Sequence, residues 1–319
     1  MQRSRMFYHC YDHKIPTGGQ KSTYQHVDAL NRRGFSAAVI HGSHDNRLSW
    51  FANDTKILTW SELWSTFDPI CDYLVLPEDL GSSISEYPGR KVIFNKGLWN
   101  GFSEIARTGD DPYTLPEVLA VLSVSEHNRQ NLQFTYPQLP VIHVTEHLDS
   151  EIFRYVPIRQ KRKQIALSPK ATARTHCIQH MFGARAKAGL NRGLEYRWIS
   201  LEHKTEQEIA KDLGEAMMFL FCSSEEGLGR VALEAMLCGC LPLAYRVGPL
   251  REYLPPFLPS DIGDPLEIVR IMERVVNSQE PGALFETELL ACRQTALQFS
   301  AEKQSDSVCN AWEEILKIR

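Results

Sequence analysis

Between residues 217 and 242 the chain runs from an apolar strand pattern, through small residues and carboxylates, into a glycine turn and an apolar helix. The segment reads Ser223-Ser224-Glu225-Glu226-Gly227-Leu228-Gly229-Arg230-Val231-Ala232-Leu233-Glu234-Ala235-Met236 and ends in Leu237-Cys238-Gly239-Cys240-Leu241-Pro242. Gly227 and Gly229 leave no side chain between backbone N–H groups and a ligand. The helix they open offers unpaired donors and a positive dipole end to an anion such as a diphosphate. A carboxylate would repel that anion, so Glu226 before the helix and Glu234 within it suit neutral hydroxyls, as on ribose or a sugar. The plain alternative is a strand-to-helix turn flanked by two solvated glutamates. The buried pattern Val231-Leu233-Met236 and the following Gly239 make that the weaker reading.

Other chemistry-bearing residues are more scattered. The eleven histidines do not cluster at metal-ligand spacing. His9, Asp12 and His13 lie at a strand end and could face a cleft, although solvated-loop or core roles are the stronger reading. Asp110-Asp111 precedes Pro112 and reads as a turn, so no metal-binding carboxylate pair is expected. Cys10, Cys71, Cys177, Cys222, Cys238, Cys240, Cys292 and Cys309 are spread along the chain, and the C-x-C at 238–240 lacks structural-zinc spacing. Most lie in apolar runs, where free cysteine packs as a small core residue. A reducing, cytoplasmic compartment is the expectation.

The elements that must position these residues alternate throughout. Strand patterns lie at 6–10, 37–41, 73–76, 91–94, 118–122 and 141–144, with a helix from about Lys21 to Arg33 that Gly34 ends. Pro157 to Lys163 is polar and basic and reads as an interdomain linker. The alternation then restarts with strands at 164–167, 194–199, 217–221 and 241–245. Helices are expected from Ala171 to about Lys187, from Thr205 to about Ala216 with capping chemistry, and over 230–238 and 266–276, with mostly helix beyond Phe285. Strands separated by helices indicate βαβ units and parallel sheets. The expected fold is therefore α/β, with two doubly wound domains. The first spans residues 1–156, the second 157–304, and a helix over about 305–319 packs back on the first.

With 319 residues the chain is too long for one ordinary core, and 43% hydrophobic with 23% charged residues is globular composition. A net charge of -4 gives no general attraction to nucleic acid or anionic lipid. The basic run Arg159 to Lys163 is the local exception and reads as a solvated face. Met1 to Arg5 leads directly into a strand pattern, so no leader is expected. No apolar run reaches the ~18 residues of a membrane span, leaving at most peripheral membrane contact.

Glu226 and Glu234, with seven residues between them, followed by Ala235-Met236 and Gly239, resemble the donor-site signature of family 4 glycosyltransferases. Pro16-Thr17-Gly18-Gly19-Gln20, with a helix ending Ala29-Leu30-Asn31-Arg32-Arg33-Gly34, resembles that family's glycine-rich loop and first helix. The resemblance is strong from about Thr205 to Leu254 and loose elsewhere. It implies the GT-B fold, two Rossmann-like domains facing a central cleft, and retaining transfer from a nucleoside-diphosphate sugar to an acceptor it does not identify.

The same resemblance implies residue roles. Glu234 would bond the donor ribose and Glu226 the donor sugar, with the Gly227, Leu228 and Gly229 backbone meeting sugar and phosphate. Gly18 and Gly19 would close over the diphosphate. Lys170, in Ser168-Pro169-Lys170, stands where the family neutralises the diphosphate, so Glu226 and Lys170 are the expected catalytic pair. Where the family usually has an arginine, this chain has Gln164-Ile165-Ala166-Leu167; Arg174 or Arg230 could substitute. Where many members carry a histidine near the reacting sugar, the run is Phe94-Asn95-Lys96-Gly97-Leu98-Trp99. Asn95 and Lys96 could face the cleft on the acceptor side, and Trp99 and Phe102 could stack on a sugar or simply pack. A nucleotide-sugar epimerase and a non-catalytic nucleotide-sugar binding protein remain the alternatives. Neither a metal nor a cofactor is expected, and nucleic acid is not an expected partner.

Overall fold

A computed structural model of the chain describes residues 4–13, 15–168, 170 and 173–318. The chain divides into two compact units, residues 1–147 with 300–319 and residues 148–299. In chain order the first unit contains β1 (Arg5–His9), α1 (Gly18–Arg32), β2 (Ser36–His41), β3 (Ile57–Thr59), α2 (Trp60–Trp64), β4 (Tyr73–Pro77), β5 (Arg90–Asn95), α3 (Leu98–Thr108), β6 (Val118–Ser123), α4 (Glu126–Thr135) and β7 (Val141–His143). The second contains β8 (Arg162–Leu167), α5 (Ala173–Lys187), β9 (Arg197–Ser200), α6 (Glu206–Glu215), β10 (Ala216–Phe221), α7 (Arg230–Leu237), β11 (Leu241–Ala244), α8 (Leu266–Asn277) and α9 (Pro281–Ala296). The last helix, α10 (Ala301–Ile315), belongs to the first unit.

All strand pairs are parallel. The first sheet has the order β3-β2-β1-β4-β5-β6-β7, so the direction of winding reverses between β1 and β4. The second has the order β11-β10-β8-β9, with its reversal between β8 and β10. In doubly wound sheets ligands bind beyond the carboxyl ends of the strands at this reversal. Both faces of the first sheet are covered. Phe7, Leu74, Leu76, Ile93 and Val121 join one core cluster. Tyr8 and Tyr73 face the other way onto α10, where Trp312 is fully buried and its Nε1–H donates to Tyr8 Oη at 2.8 Å. Val308 and Ile315 share that buried stripe, whereas Leu316 caps the helix end and is 37% exposed.

Local chemistry sets several helix ends. Thr17 caps α1 in a reciprocal box with Gln20, and Gly34 follows its last turn at φ +81°. Asn31 then pins the helix to β2, its amide donating to Ala37 O and accepting from Ala37 N–H. Thr205 and Glu208 form the box expected at α6. The start of α5 is described from Ala173, so the expected beginning at Ala171 lies outside the described residues. Among the described residues no helix is long and apolar enough to cross a membrane.

Three expectations need correction. Pro157–Lys163 is part of the second unit: Ile158–Gln160 forms a single 3-10 turn, Arg162 begins β8, and Lys161 is buried. Its ammonium donates to Leu213 O and Gly214 O at 2.8 Å each, satisfying carbonyls at the end of α6. A polar composition therefore concealed a built-in contact. The strand expected from Leu194 begins at Arg197, because Gly193–Glu195 is a turn held by Arg192 and Lys163 on Glu195. β3 was not expected at all; at three residues it is too short for an alternating pattern to register.

Candidate active site

The carboxyl ends of β8 and β10 carry the residues singled out by type and spacing. β10 is buried at every position, which fixes where the polar run after it begins. Glu226, 8% exposed, accepts an ion pair from Lys170: Nζ lies 2.6 Å from Oε1. The lysine side chain is 58% exposed, so the ammonium is reachable from solvent while its partner is not. Ser168 Oγ orders this loop by accepting from Lys170 N–H at 3.2 Å.

Gly227, Leu228 and Gly229 are buried and lead into α7. Gly229 caps that helix at φ +83°, where a Cβ would come within 2.7 Å of both Leu250 Cδ2 and Tyr253 Oη. Only glycine fits without strain. The buried Tyr253 hydroxyl lies 2.8 Å from Leu228 O and 3.0 Å from Gly229 O, so its single O–H is shared between the two carbonyls of the turn. Glu234 sits on α7, 7% exposed, with Arg230 Nε at 4.0 Å from Oε1. Arg174 stands apart on the exposed first turn of α5. With Cys177, Tyr245 and Pro265 it lines a hollow of about 260 Å³. Of the two arginines considered as substitutes, Arg230 lies beside Glu234, while Lys170 meets Glu226.

The first unit assembles the remaining expected residues differently. Gly18 and Gly19 are the opening residues of α1 rather than a loop before it. A Cβ on Gly19 would meet Lys96 Cδ at 3.0 Å, so these two expected residues are neighbours. Lys96 is half-buried, with its ammonium 5.5 Å from the Phe94 ring centre. Asn95 does not face a cleft. It is fully buried, its amide donating to Tyr113 Oη at 3.0 Å and accepting from Asn128 Nδ2 at 3.1 Å. Trp99 is 50% exposed on α3, while Phe102 packs on the core. Asp12 is tied to buried His41, whose ring bridges Asp12 Oδ1 at 2.7 Å and Tyr24 Oη at 2.8 Å.

Six of the cysteines are buried, while Cys71 is half-buried and Cys177 exposed. All eight are free, and burial pushes the thiols of Cys10, Cys238, Cys240 and Cys292 up to about 12, far from a reactive thiolate. Among the described residues no three His, Cys, Asp or Glu side chains gather as metal ligands would.

Residues 186–280, which include Glu226, the glycine turn and Glu234, match the family described as glycosyl transferases group 1. An alpha-1,6-glucosyltransferase of Actinobacillus pleuropneumoniae serotype 7 (strain AP76) is 21% identical over 242 residues, 73% of this chain and 70% of that one. The chain is a glycosyltransferase, and over residues 186–280 it is similar to group 1.

The glycosyltransferase also matches solved structures of GT-B enzymes over nearly all of its residues. A sucrose-phosphate synthase from Thermosynechococcus elongatus matches with a TM-score of 0.67 at 13% identity, over 98% of this chain and 99% of that one. An alpha-glucosyltransferase in complex with UDP and a 13-mer DNA containing a HMU base matches with a TM-score of 0.60 at 12% identity, over 99% and 100%. The fold is thus GT-B.

Two residues near the strand ends were missed in the sequence, one of them without a signal. Tyr253 lies 24 positions beyond Gly229 and only folding brings its hydroxyl to that turn. Glu78 was discoverable, since it directly follows the apolar run Tyr73 to Pro77 at a strand end. It is 1% exposed, and burial pushes its carboxyl up to about 7, against the pull of the Lys96 charge.

Proposed function

We propose that the enzyme transfers a sugar from a nucleoside-diphosphate sugar to an acceptor hydroxyl with retention at the anomeric carbon. The observation that carries this is the 2.6 Å Lys170–Glu226 pair at the β8/β10 reversal, beside a glycine turn whose carbonyls Tyr253 holds back. Glu226 keeps the ammonium in place while the site is empty. A diphosphate at the start of α7 then takes over Lys170, and Glu226 is released to accept hydroxyl donors from the donor sugar. Charge gathers on the diphosphate as the glycosidic bond breaks, where a lysine and a helix N-terminus stabilise the transition state more than the ground state. Glu234 bonds the ribose. The related alpha-glucosyltransferase, solved with UDP, supports the donor class. Retention follows the family 4 signature at Glu226 and Glu234.

Lys170→Met and Glu226→Gln should each lower kcat/KM for transfer at least about 100-fold while the thermal midpoint stays near wild type. Full turnover in a folded Lys170→Met variant would remove the assignment. Nucleotide binding without transfer or donor hydrolysis in the wild type would make the chain a binding protein instead. No step above uses a metal, so turnover should persist in EDTA; loss restored by magnesium or manganese would contradict this reading.

A further inference from the structure

The reversal point of the first sheet carries a second set of side chains, built from different chemistry. β1 ends in His9, with Tyr11 two residues on; Trp60 follows β3; Glu78 and Asp79 follow β4. The His9 ring centre is 5.2 Å from those of Tyr11 and Trp60 and 6.4 Å from that of Tyr87, and Trp60 and Tyr87 are 5.3 Å apart. These four rings are half-buried, so the cluster keeps an edge toward solvent. Exposed Asp79 accepts from Tyr11 Oη at 2.8 Å, which joins a carboxylate to the aromatic group. Two polar atoms in this region are buried without a hydrogen-bond partner, His9 Nδ1 and Glu78 Oε2. Burial favours the uncharged forms of both, lowering His9 to about 4 and raising Glu78 to about 7.

Rings with polar edges and carboxylates suit a neutral, polyhydroxylated ring. Its C–H faces pack on aromatics, and its hydroxyls donate to carboxylate oxygens. They do not suit a polyanion: exposed Asp12 and Asp79 stand beyond the ends of β1 and β4, where a nucleic-acid backbone would need a basic stripe. We propose that this cluster is an acceptor-binding site for a neutral saccharide, whose ring lies on Trp60 and Tyr87 and whose hydroxyls bond Asp79 and Tyr11. It rests on the transferase reading above for the reaction, but binding at this site is separable from it.

The probes are maltose, cellobiose and lactose, with a duplex 13-mer DNA as the polyanion. Binding is followed by saturation-transfer NMR and tryptophan fluorescence, and uridine, guanosine and adenosine diphosphates report separately on the donor side. At least one disaccharide should bind with an affinity insensitive to 0.5 M salt and weakened at least about tenfold by Trp60→Ala and by Asp79→Asn. Tyr11→Phe, which deletes one hydroxyl, should weaken it less, and the three variants should bind nucleoside diphosphate as wild type does. Binding of none of the disaccharides, or binding that survives Asp79→Asn and Tyr11→Phe as well as Trp60→Ala, overturns the proposal. So does salt-dependent DNA binding that these variants abolish. Saccharide binding together with no nucleoside-diphosphate binding would instead sink the donor reading and leave this site standing.

Discussion

Glu78 and Glu226 are both buried glutamates near strand ends, yet their surroundings make them opposites. Glu226 has an ammonium at 2.6 Å, whereas Glu78 has Oε2 without a partner and a carboxyl raised from 4.5 to about 7. The folded protein therefore holds a proton on Glu78 through a pH window in which the unfolded chain has released it. This group's contribution to stability is greatest below pH 4.5 and is lost as pH rises toward 7, by roughly 3 kcal/mol in all. Glu78→Gln should flatten that slope. Urea unfolding at pH 5 and pH 8 should show a smaller stability difference in the variant, and equal differences would show that Glu78 is not the group responsible. Residues joined by contiguous spacing, such as Glu226 and Glu234, were legible in the sequence because one strand–turn–helix fixes them. Asn95 was misread because its partners Tyr113 and Asn128 come from later elements and turn its amide inward.

At the scale of elements, the segment from β10 to α7 works because the turn between them is held from outside. Gly229 has a backbone conformation that side chains resist, and Tyr253 fills the space where one would go. Gly229→Ala should cost roughly 1–3 kcal/mol of stability through strain and contact with Leu250. Tyr253→Phe should cost about 1–2 kcal/mol and weaken nucleotide binding, since the one hydroxyl donor that two buried carbonyls share is lost. Chemical denaturation paired with nucleotide titration checks both, and a Tyr253→Phe variant with unaltered affinity would show that the hydroxyl does not shape the turn. The capping box of α6 and most strand centres could be read ahead, because each is set by residues within a few positions; the box of α1 was missed, its helix being expected only from about Lys21. β3 and the start of β9 could not: one is too short, and the other is displaced by Arg192 and Lys163 converging on Glu195.

In the whole molecule the last helix closes the first unit's core. Trp312 packs between Tyr8 and Tyr73 with its indole N–H on Tyr8 Oη, so Trp312→Ala should destabilise the protein by ~3–5 kcal/mol. A loss below about 1 kcal/mol in calorimetry would mean that α10 is an accessory. The spacing of Val308, Trp312 and Ile315 indicates an amphipathic helix, and the chain divides at residues 147 and 299, whereas the sequence pattern placed the boundaries at 156 and 304. The polar stretch that looked like a linker is tied to α6 by Lys161 instead. The central claim is that the second unit grips a nucleoside diphosphate through Lys170 and the turn at Gly227–Gly229. Hydrogen–deuterium exchange with saturating uridine, guanosine or adenosine diphosphate tests it most directly. At least one nucleotide should slow exchange over residues 227–237, and Lys170→Met should abolish the slowing. Unchanged exchange there with all three, or protection confined to residues outside 165–250, would contradict the account.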